Sequence, residues 1–398
     1  MSDQSRFLPY GRQSIDEDDV AAVAAVLRGD YLTTGPAVQQ FEAALAERTQ
    51  APHAVVCANG TAALHMAALA LDIGPGDGVV VPTLTFLATA NAIRLAGGEV
   101  VFADVDPATG LMNAGHLEDA LKRMGTLRPR AVFPVHLNGQ CVDMEALSAV
   151  ARRHDLAIVE DCCHALGSTQ NGHAAGACAL SDMAVFSFHP VKTIAMGEGG
   201  AVTCRDPALA KRLVGLRGHG MTREPAEFLD KAQAFDADGQ PNPWYYEMHQ
   251  VGLNYRASDI ACALGLSQLS KLDRFLAARN RLVAAYDAAL APLAPLVRPL
   301  ARTPWSTPAW HIYVVHMDFA TIGKSRKAVA QALRERGIGT QVHYLPVSRQ
   351  PYYRSRYGDL PLPGADAYYD ACLTLPLFVG MDEDDVARVV AELKALLP

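Results

Sequence analysis

Lys192 stands in the run Ala184-Val185-Phe186-Ser187-Phe188-His189-Pro190-Val191-Lys192-Thr193, and Gly197-Glu198-Gly199-Gly200 follows shortly after. The short apolar stretch reads as a buried strand, which places the lysine just past a strand end among small and turn-forming residues. Lysines are ordinarily solvated surface charges. One held at a strand end beside hydroxyls and glycines loses solvation, its pKa falls, and the neutral amine can attack a carbonyl to form a Schiff base. That chemistry suits a bound aldehyde cofactor, so the chain should also carry a phosphate cradle, a partner for a ring nitrogen and a flat surface.

Each is present. Asn59-Gly60-Thr61-Ala62 lies between a strand and a helix, where glycine permits close backbone approach and free N–H groups at the helix start bind an anion. Asp161 ends the apolar run Leu156–Glu160, and a carboxylate there can hold a pyridinium proton through a charge-assisted hydrogen bond. Phe86, in Pro82-Thr83-Leu84-Thr85-Phe86, offers an aromatic face, and Ser187, five positions before Lys192, offers a hydroxyl. Singly these residues read as a turn, a cap carboxylate and a core aromatic. Their order and their placement at successive strand ends make them one set, the set that pyridoxal phosphate (PLP) requires.

The elements that must position this set are legible in the alternation of apolar runs and helical patterns from about residue 38 to 205. Strands are expected at Ala54–Cys57, Val79–Val81, Val100–Val105, Ala131–Val135, Ala157–Asp161, Ala184–Phe188 and Gly200–Cys204, with helices at Thr61–Ala70, Ala88–Ala96 and Met144–Arg153 among those between them. Repeated strand–helix units imply an α/β fold with a mostly parallel, seven-stranded sheet, and ligands of such sheets sit at the carboxyl ends of the strands. Met221–Gln250 is polar and reads as a long functional loop carrying Trp244 and Tyr246. A helical pattern from Ile260 to about Leu290 leads into an α+β module with segments Ile312–Met317, Lys327–Arg336 and Gly339–His343, closed by a helix over Asp382–Leu397 whose acidic start suits the helix dipole. This divides the chain into a large domain with an N-terminal arm, residues 1–265, and a small domain, residues 266–398.

Bulk properties narrow the function classes. The 398 residues, half of them hydrophobic, fit an α/β enzyme with two cores. A net charge of −7 with no basic run argues against nucleic acid or an anionic membrane as partner. The polar segment Met1–Tyr10 lacks the apolar core of a secretion signal, and no apolar run is long enough to span a bilayer. The eight cysteines form no C-x-x-C pairs and read as reduced thiols of a cytoplasmic protein. No metal is expected: Asp161-Cys162-Cys163-His164 has ligand types, but adjacent residues seldom converge on one ion and no second cluster has zinc spacing. Gly74-Pro75-Gly76-Asp77-Gly78 precedes a strand and is a turn.

Gly60-Thr61-Ala62-Ala63-Leu64, Glu160-Asp161 with Ala165-Leu166-Gly167, and S-F-H-P-V-K with G-E-G-G resemble the DegT/DnrJ/EryC1/StrS family of PLP-dependent nucleotide-sugar aminotransferases. The resemblance runs over nearly the whole chain, from Leu32-Thr33-Thr34-Gly35 to Gln341-Val342-His343-Tyr344-Leu345-Pro346. Pro243-Trp244-Tyr245-Tyr246-Glu247-Met248, Gly252-Leu253-Asn254-Tyr255-Arg256 and Ala263–Leu269 look like the branch that aminates UDP-4-keto-6-deoxy-L-AltNAc, with L-glutamate as donor, on the way to pseudaminic acid. The resemblance implies the type I aminotransferase fold, with Lys192 carrying the cofactor, Asp161 on the pyridine nitrogen and Phe86 on the ring. Gly60, Thr61, Ala62 and Ser187 would form the phosphate site, and His164 would lie near the ring hydroxyl. Asn254 would reach the phosphate of a neighbouring subunit, making a homodimer with its active sites at the interface. Thr33, His219, Trp244, Tyr246, His343 and Tyr344 are the candidates for the UDP-sugar. A sugar dehydratase of the same fold would have histidine in place of Lys192, and a non-catalytic regulator would have lost Lys192 or Asp161; both residues are present. An NDP-ketosugar of other stereochemistry, UDP-4-keto-6-deoxy-D-GlcNAc or a C3 ketosugar, is the alternative substrate. One departure from the family pattern is Ala195-Met196, where two threonines are usual, which removes hydroxyls expected to face cofactor or sugar.

Overall fold

The structure, a computed structural model, describes residues 6–398; the first five residues of the polar N-terminus lie outside it. Seven strands form, β1 (His53–Cys57), β2 (Asp77–Pro82), β3 (Glu99–Ala103), β4 (Arg128–Val132), β5 (Ala157–Asp161), β8 (Met183–Ser187) and β9 (Gly200–Cys204), each overlapping an expected one, although β4 starts three residues early and shares only Ala131 and Val132 with the expected Ala131–Val135. A two-strand ribbon, β6 (Thr169–Gln170) and β7 (His173–Ala174), intervenes between β5 and β8. The strands make one sheet in the order β1-β9-β8-β5-β4-β2-β3, parallel except for β9, which runs against both of its neighbours. Every residue of β2 and β9 is buried, as a sheet covered on both faces demands.

The helices that cover it are set by local chemistry. In α1 (Glu17–Leu27), Asp16 and Asp19 form a capping box. After α2 (Pro36–Thr49) comes α3 (Gly60–Ala70), buried on almost every side, with the Asn59 carboxamide oxygen accepting from Ala62 N–H at 2.8 Å. Further along, α4 (Leu87–Leu95) starts at Phe86, and α6 (Met144–Arg153), which follows α5 (Ala114–Leu121), has Asp143 as its cap. The helical pattern expected over Ile260–Leu290 is two helices, Asp259–Ser270 and Leu272–Leu290, broken at Lys271. There the ammonium is drawn to Asp16 and Asp19 of the first helix, and Gln268 donates to Asp19 at 2.7 Å.

Met221–Gln250 is a looped excursion whose ends pair as the ribbon β10 (Met221–Thr222) and β11 (Glu247–Met248). The C-terminal unit is built on a three-stranded antiparallel sheet of β12 (Val297–Pro299), β14 (Tyr313–Met317) and β15 (Cys372–Leu375); β13 (Ser306–Thr307) instead pairs with β6. Gly339–His343 is irregular: Gln341 bridges to Thr374, and the chain then turns into the cavity. The closing helix is Glu383–Lys394, with a capping box between Asp382 and Asp385. Its apolar face belongs to a core running from Leu282 to Leu396, which also takes in Leu8 from the N-terminal segment.

Candidate active site

A cavity of about 670 Å³ opens at the carboxyl ends of β1, β2, β5 and β8, the place a parallel sheet offers a ligand. Among the residues expected to act, Gly60, Thr61, Phe86, Asp161, His164, Ser187, Lys192, His343 and Tyr344 line it. Asp161 sits at the end of β5, 5% exposed, with one oxygen accepting from Thr89 Oγ1 at 2.8 Å and the other from Cys163 N–H at 3.1 Å. Thr89 is in turn bonded to Thr85 at 2.9 Å. These two donors fix the orientation of the carboxyl group.

Lys192 follows the β8 strand end after a turn closed by its own N–H to His189 carbonyl at 2.8 Å. Among the described residues its amine has no hydrogen bond or ion pair. Burial lowers its pKa, with Cys163 and Asp161 pulling the other way. Three imidazoles besides that of His189 line the cavity. Burial is the first cause in each case, holding His164 and His311 well below the usual histidine range and bringing His343 down to about 3. Lys192 adds to the effect on each of them. The lysine therefore shares the cavity with these imidazoles and with the carboxyl side chains of Asp161 and Glu198.

Whether PLP fits can be asked of the backbone. Gly60 and Thr61 open α3, and their N–H groups have no acceptor among the described residues. A Cβ at Gly60 would lie 2.8 Å from the Ser187 Cβ, so the glycine keeps the turn and the Ser187 hydroxyl together. Two free N–H groups, a hydroxyl, a fixed carboxylate and an unpaired amine with a lowered pKa fit PLP's phosphate, ring nitrogen and carbonyl carbon. Phe86 is 57% exposed at the cavity wall, leaving an aromatic face open to a ring.

Some expectations fall elsewhere. Ala62 is buried outside the lining and its N–H is taken by Asn59, so the phosphate seat is narrower than Gly60–Ala62. Thr33, His219, Trp244, Tyr246 and Asn254 lie outside this chain's cavity. Thr33 bridges to Ser258, Asn254 bridges to Gly218, and Trp244 and Tyr246 are exposed on the 221–250 excursion. Ala195 and Met196 turn into the core instead of facing the cavity: Met196 packs with Phe41 and Phe188, against the space left by Gly265 and Gly199. The hydroxyls missing there are thus missing from a core position. Tyr10, Thr89 and His311 also line the cavity without having been expected there, as do Cys163 and Gln341, which the quoted motifs contain without a role. Thr89 lies one helical turn after Thr85, Cys163 two positions after Asp161 and Gln341 two before His343, whereas Tyr10 and His311 arrive from distant segments.

The comparisons with known proteins agree with this geometry. The sequence model of the DegT/DnrJ/EryC1/StrS aminotransferase family matches residues 13–394. The spore coat polysaccharide biosynthesis protein SpsC of Bacillus subtilis (strain 168) is 36% identical over 397 residues, 99% of this chain and 98% of that one. Among solved structures, Helicobacter pylori PseC, an aminotransferase involved in the biosynthesis of pseudoaminic acid, superposes with a TM-score of 0.87 at 27% identity, covering 98% of this chain and 99% of that one. The sugar aminotransferase Spr1654 from Streptococcus pneumoniae, described as putative, superposes in its PMP-form with a TM-score of 0.88 at 29% identity over 98% of both chains, and its PLP-form gives 0.87. With the lysine, the carboxylate and the phosphate seat converging on one cavity, the chain belongs to the DegT/DnrJ/EryC1/StrS family and is a PLP-dependent sugar aminotransferase.

Proposed function

We propose that the enzyme moves the amino group of L-glutamate to the C4 keto group of a UDP-4-keto-6-deoxy-N-acetylhexosamine of the L-AltNAc type, supplying the 4-amino sugar for pseudaminic acid. The observation that carries the aminotransferase reading is the convergence of Lys192, Asp161 and the Gly60–Thr61 turn on one cavity. The sugar rests on the 243–248 and 252–256 segments and on the likeness to PseC. The likeness to SpsC favours a second reading, an NDP-ketosugar of another stereochemistry destined for a polysaccharide.

PLP, when bound, supplies a carbonyl that takes up the amine and a ring that accepts the electron pair released at the donor carbon. The residues of this chain do the rest. Lys192 carries the cofactor and, once displaced by the amino donor, removes a proton from the donor carbon and returns one, a task favoured by burial, which lowers the pKa of its amine. Asp161 keeps the ring nitrogen protonated. The Gly60 and Thr61 N–H groups and the Ser187 hydroxyl hold the phosphate, and Phe86 covers the ring and excludes water. Asn254 and the exposed Trp244 and Tyr246 serve the neighbouring subunit's site in a homodimer. We place the enzyme in the cytoplasm and divide it at residue 265; among the described residues no helix is long and apolar enough to cross a membrane.

The test is the visible spectrum of purified protein with PLP. Wild type should show a visible band that glutamate removes, whereas Lys192→Ala should show no such response, losing activity by at least about 10³-fold as removal of a covalent and proton-transfer group does. A wild type that binds no PLP would end the reading. Amination of the L-AltNAc-type and D-GlcNAc-type ketosugars is then compared; preference for the latter selects the second reading.

A further inference from the structure

Tyr344 lines the cavity, and its hydroxyl lies 3.0 Å from His164 Nε2, its one hydrogen-bond partner among the described residues. His164 is 5% exposed, and its other nitrogen, Nδ1, is buried with no partner. Burial keeps the imidazole singly protonated and keeps the phenol protonated. The pair therefore shares two protons, of which one fills the contact between Nε2 and Oη.

The second proton has two places to go. If Tyr344 donates to Nε2, the imidazole proton must sit on Nδ1, a buried N–H with no acceptor, which folded proteins rarely tolerate. If His164 Nε2–H donates to Tyr344, Nδ1 keeps only a lone pair, and the phenol O–H is free to turn into the cavity. His311, whose ring centroid is 4.3 Å from that of His164, offers no acceptor to Nδ1, since no hydrogen bond joins the two rings. The second arrangement leaves no donor stranded.

The geometry points to Tyr344, oriented by His164, as a hydrogen-bond donor to the phenolic oxygen of bound PLP, and not as a contact for the sugar. Such a donor stabilises the negative oxygen and so favours the deprotonated form of the visible chromophore. The inference rests on Lys192 and Asp161 being the cofactor residues. His164 is on this account a positioning residue.

The experiment is a pH titration of the visible absorbance of the PLP-loaded enzyme without any substrate. The titratable groups facing the pair are Asp161, Cys163, Lys192, His311, His343, Tyr10 and Tyr368, and all are kept in the variants. Tyr344→Phe should raise the midpoint by about half a unit to one unit, the worth of one hydrogen bond. His164→Ala should raise it by no more than that, and the double variant should match Tyr344→Phe alone. A visible band whose midpoint is unmoved in Tyr344→Phe, with only KM for the sugar increased, overturns the proposal; a protein that forms no visible band with PLP overturns the cofactor reading instead. Should Tyr344→Phe not fold, ¹⁵N shifts of the imidazoles in wild type decide the matter. A proton on His164 Nε2 is required, and a proton on Nδ1 refutes the assignment.

Discussion

Asp161→Asn isolates the charge of the carboxylate from its shape. In the wild type the two oxygens accept from Thr89 Oγ1 at 2.8 Å and Cys163 N–H at 3.1 Å, leaving lone pairs for a ring N–H. Asparagine keeps the volume, and its oxygen can retain one of these bonds, but its amide is neutral and turns one acceptor into a donor. A hydrogen bond to a charged group contributes about 1.5–3 kcal/mol against about 0.5–1.5 kcal/mol for a neutral one, so about 1–2 kcal/mol of PLP binding should be lost. That difference is a roughly 5- to 30-fold rise in the Kd for PLP. The assay is titration of PLP-free enzyme followed by the visible band, with circular dichroism to confirm that the fold persists. The amino-transfer half reaction with glutamate should slow by a larger factor than binding weakens, because an unprotonated ring is a poorer acceptor of the electron pair. Unchanged affinity together with an unchanged half-reaction rate would refute the placing of Asp161 on the ring nitrogen.

Two further outcomes follow from buried residues. Met196→Thr restores the hydroxyl common in the family, yet the position is in the core, so it should destabilise the protein by about 1–3 kcal/mol in urea unfolding and leave the ratio of kcat/KM for the two ketosugars unchanged. His316 is buried with Nε2 unpartnered, and burial, aided by Arg298, brings its pKa down to about 4. Between pH 6.5 and about 4 the unfolded chain therefore holds a proton that the folded chain refuses. Its contribution is full above that window and is lost as pH falls through it, by up to about 3 kcal/mol. His316→Phe should flatten the slope of unfolding free energy against pH there, and an unaltered slope would contradict the burial argument.

The sheet was legible because strands covered on both faces read as short apolar runs; β4 is the exception, beginning at Arg128-Pro129-Arg130 and reaching the apolar run only at Ala131 and Val132. What failed to appear locally was decided at a distance. The break at Lys271 answers to Asp16 and Asp19, some 250 positions earlier, and nothing in the helical pattern marks it. Gly339–His343 is held by Gly339 N–H on the Leu8 carbonyl and by the bridge from Gln341 to Thr374, both far away along the chain. The same holds at the site. Lys192, Asp161 and Gly60 announce themselves by their place at strand ends, whereas Tyr10 and His311 enter the cavity only because separate segments of the chain converge there. Ala195-Met196 looked like a change in the pocket and is a change in the core, because only packing tells which way a loop residue turns.

Gly200 has a consequence for cofactor chemistry. In the sheet it pairs with Ser187, and a Cβ there would lie 2.4 Å from the carbonyl carbon of Asn59, so β9 passes directly beneath the turn at Gly60. The loop bearing Lys192 has both ends fastened to this crossing by adjacent strands, which lie about 4.8 Å apart. The backbone span from the phosphate seat to the loop that bears the lysine is therefore set by the sheet. Cofactor analogues altered on the ring should be accepted more readily than analogues with one extra methylene in the phosphate arm, whose carbonyl would overshoot the amine.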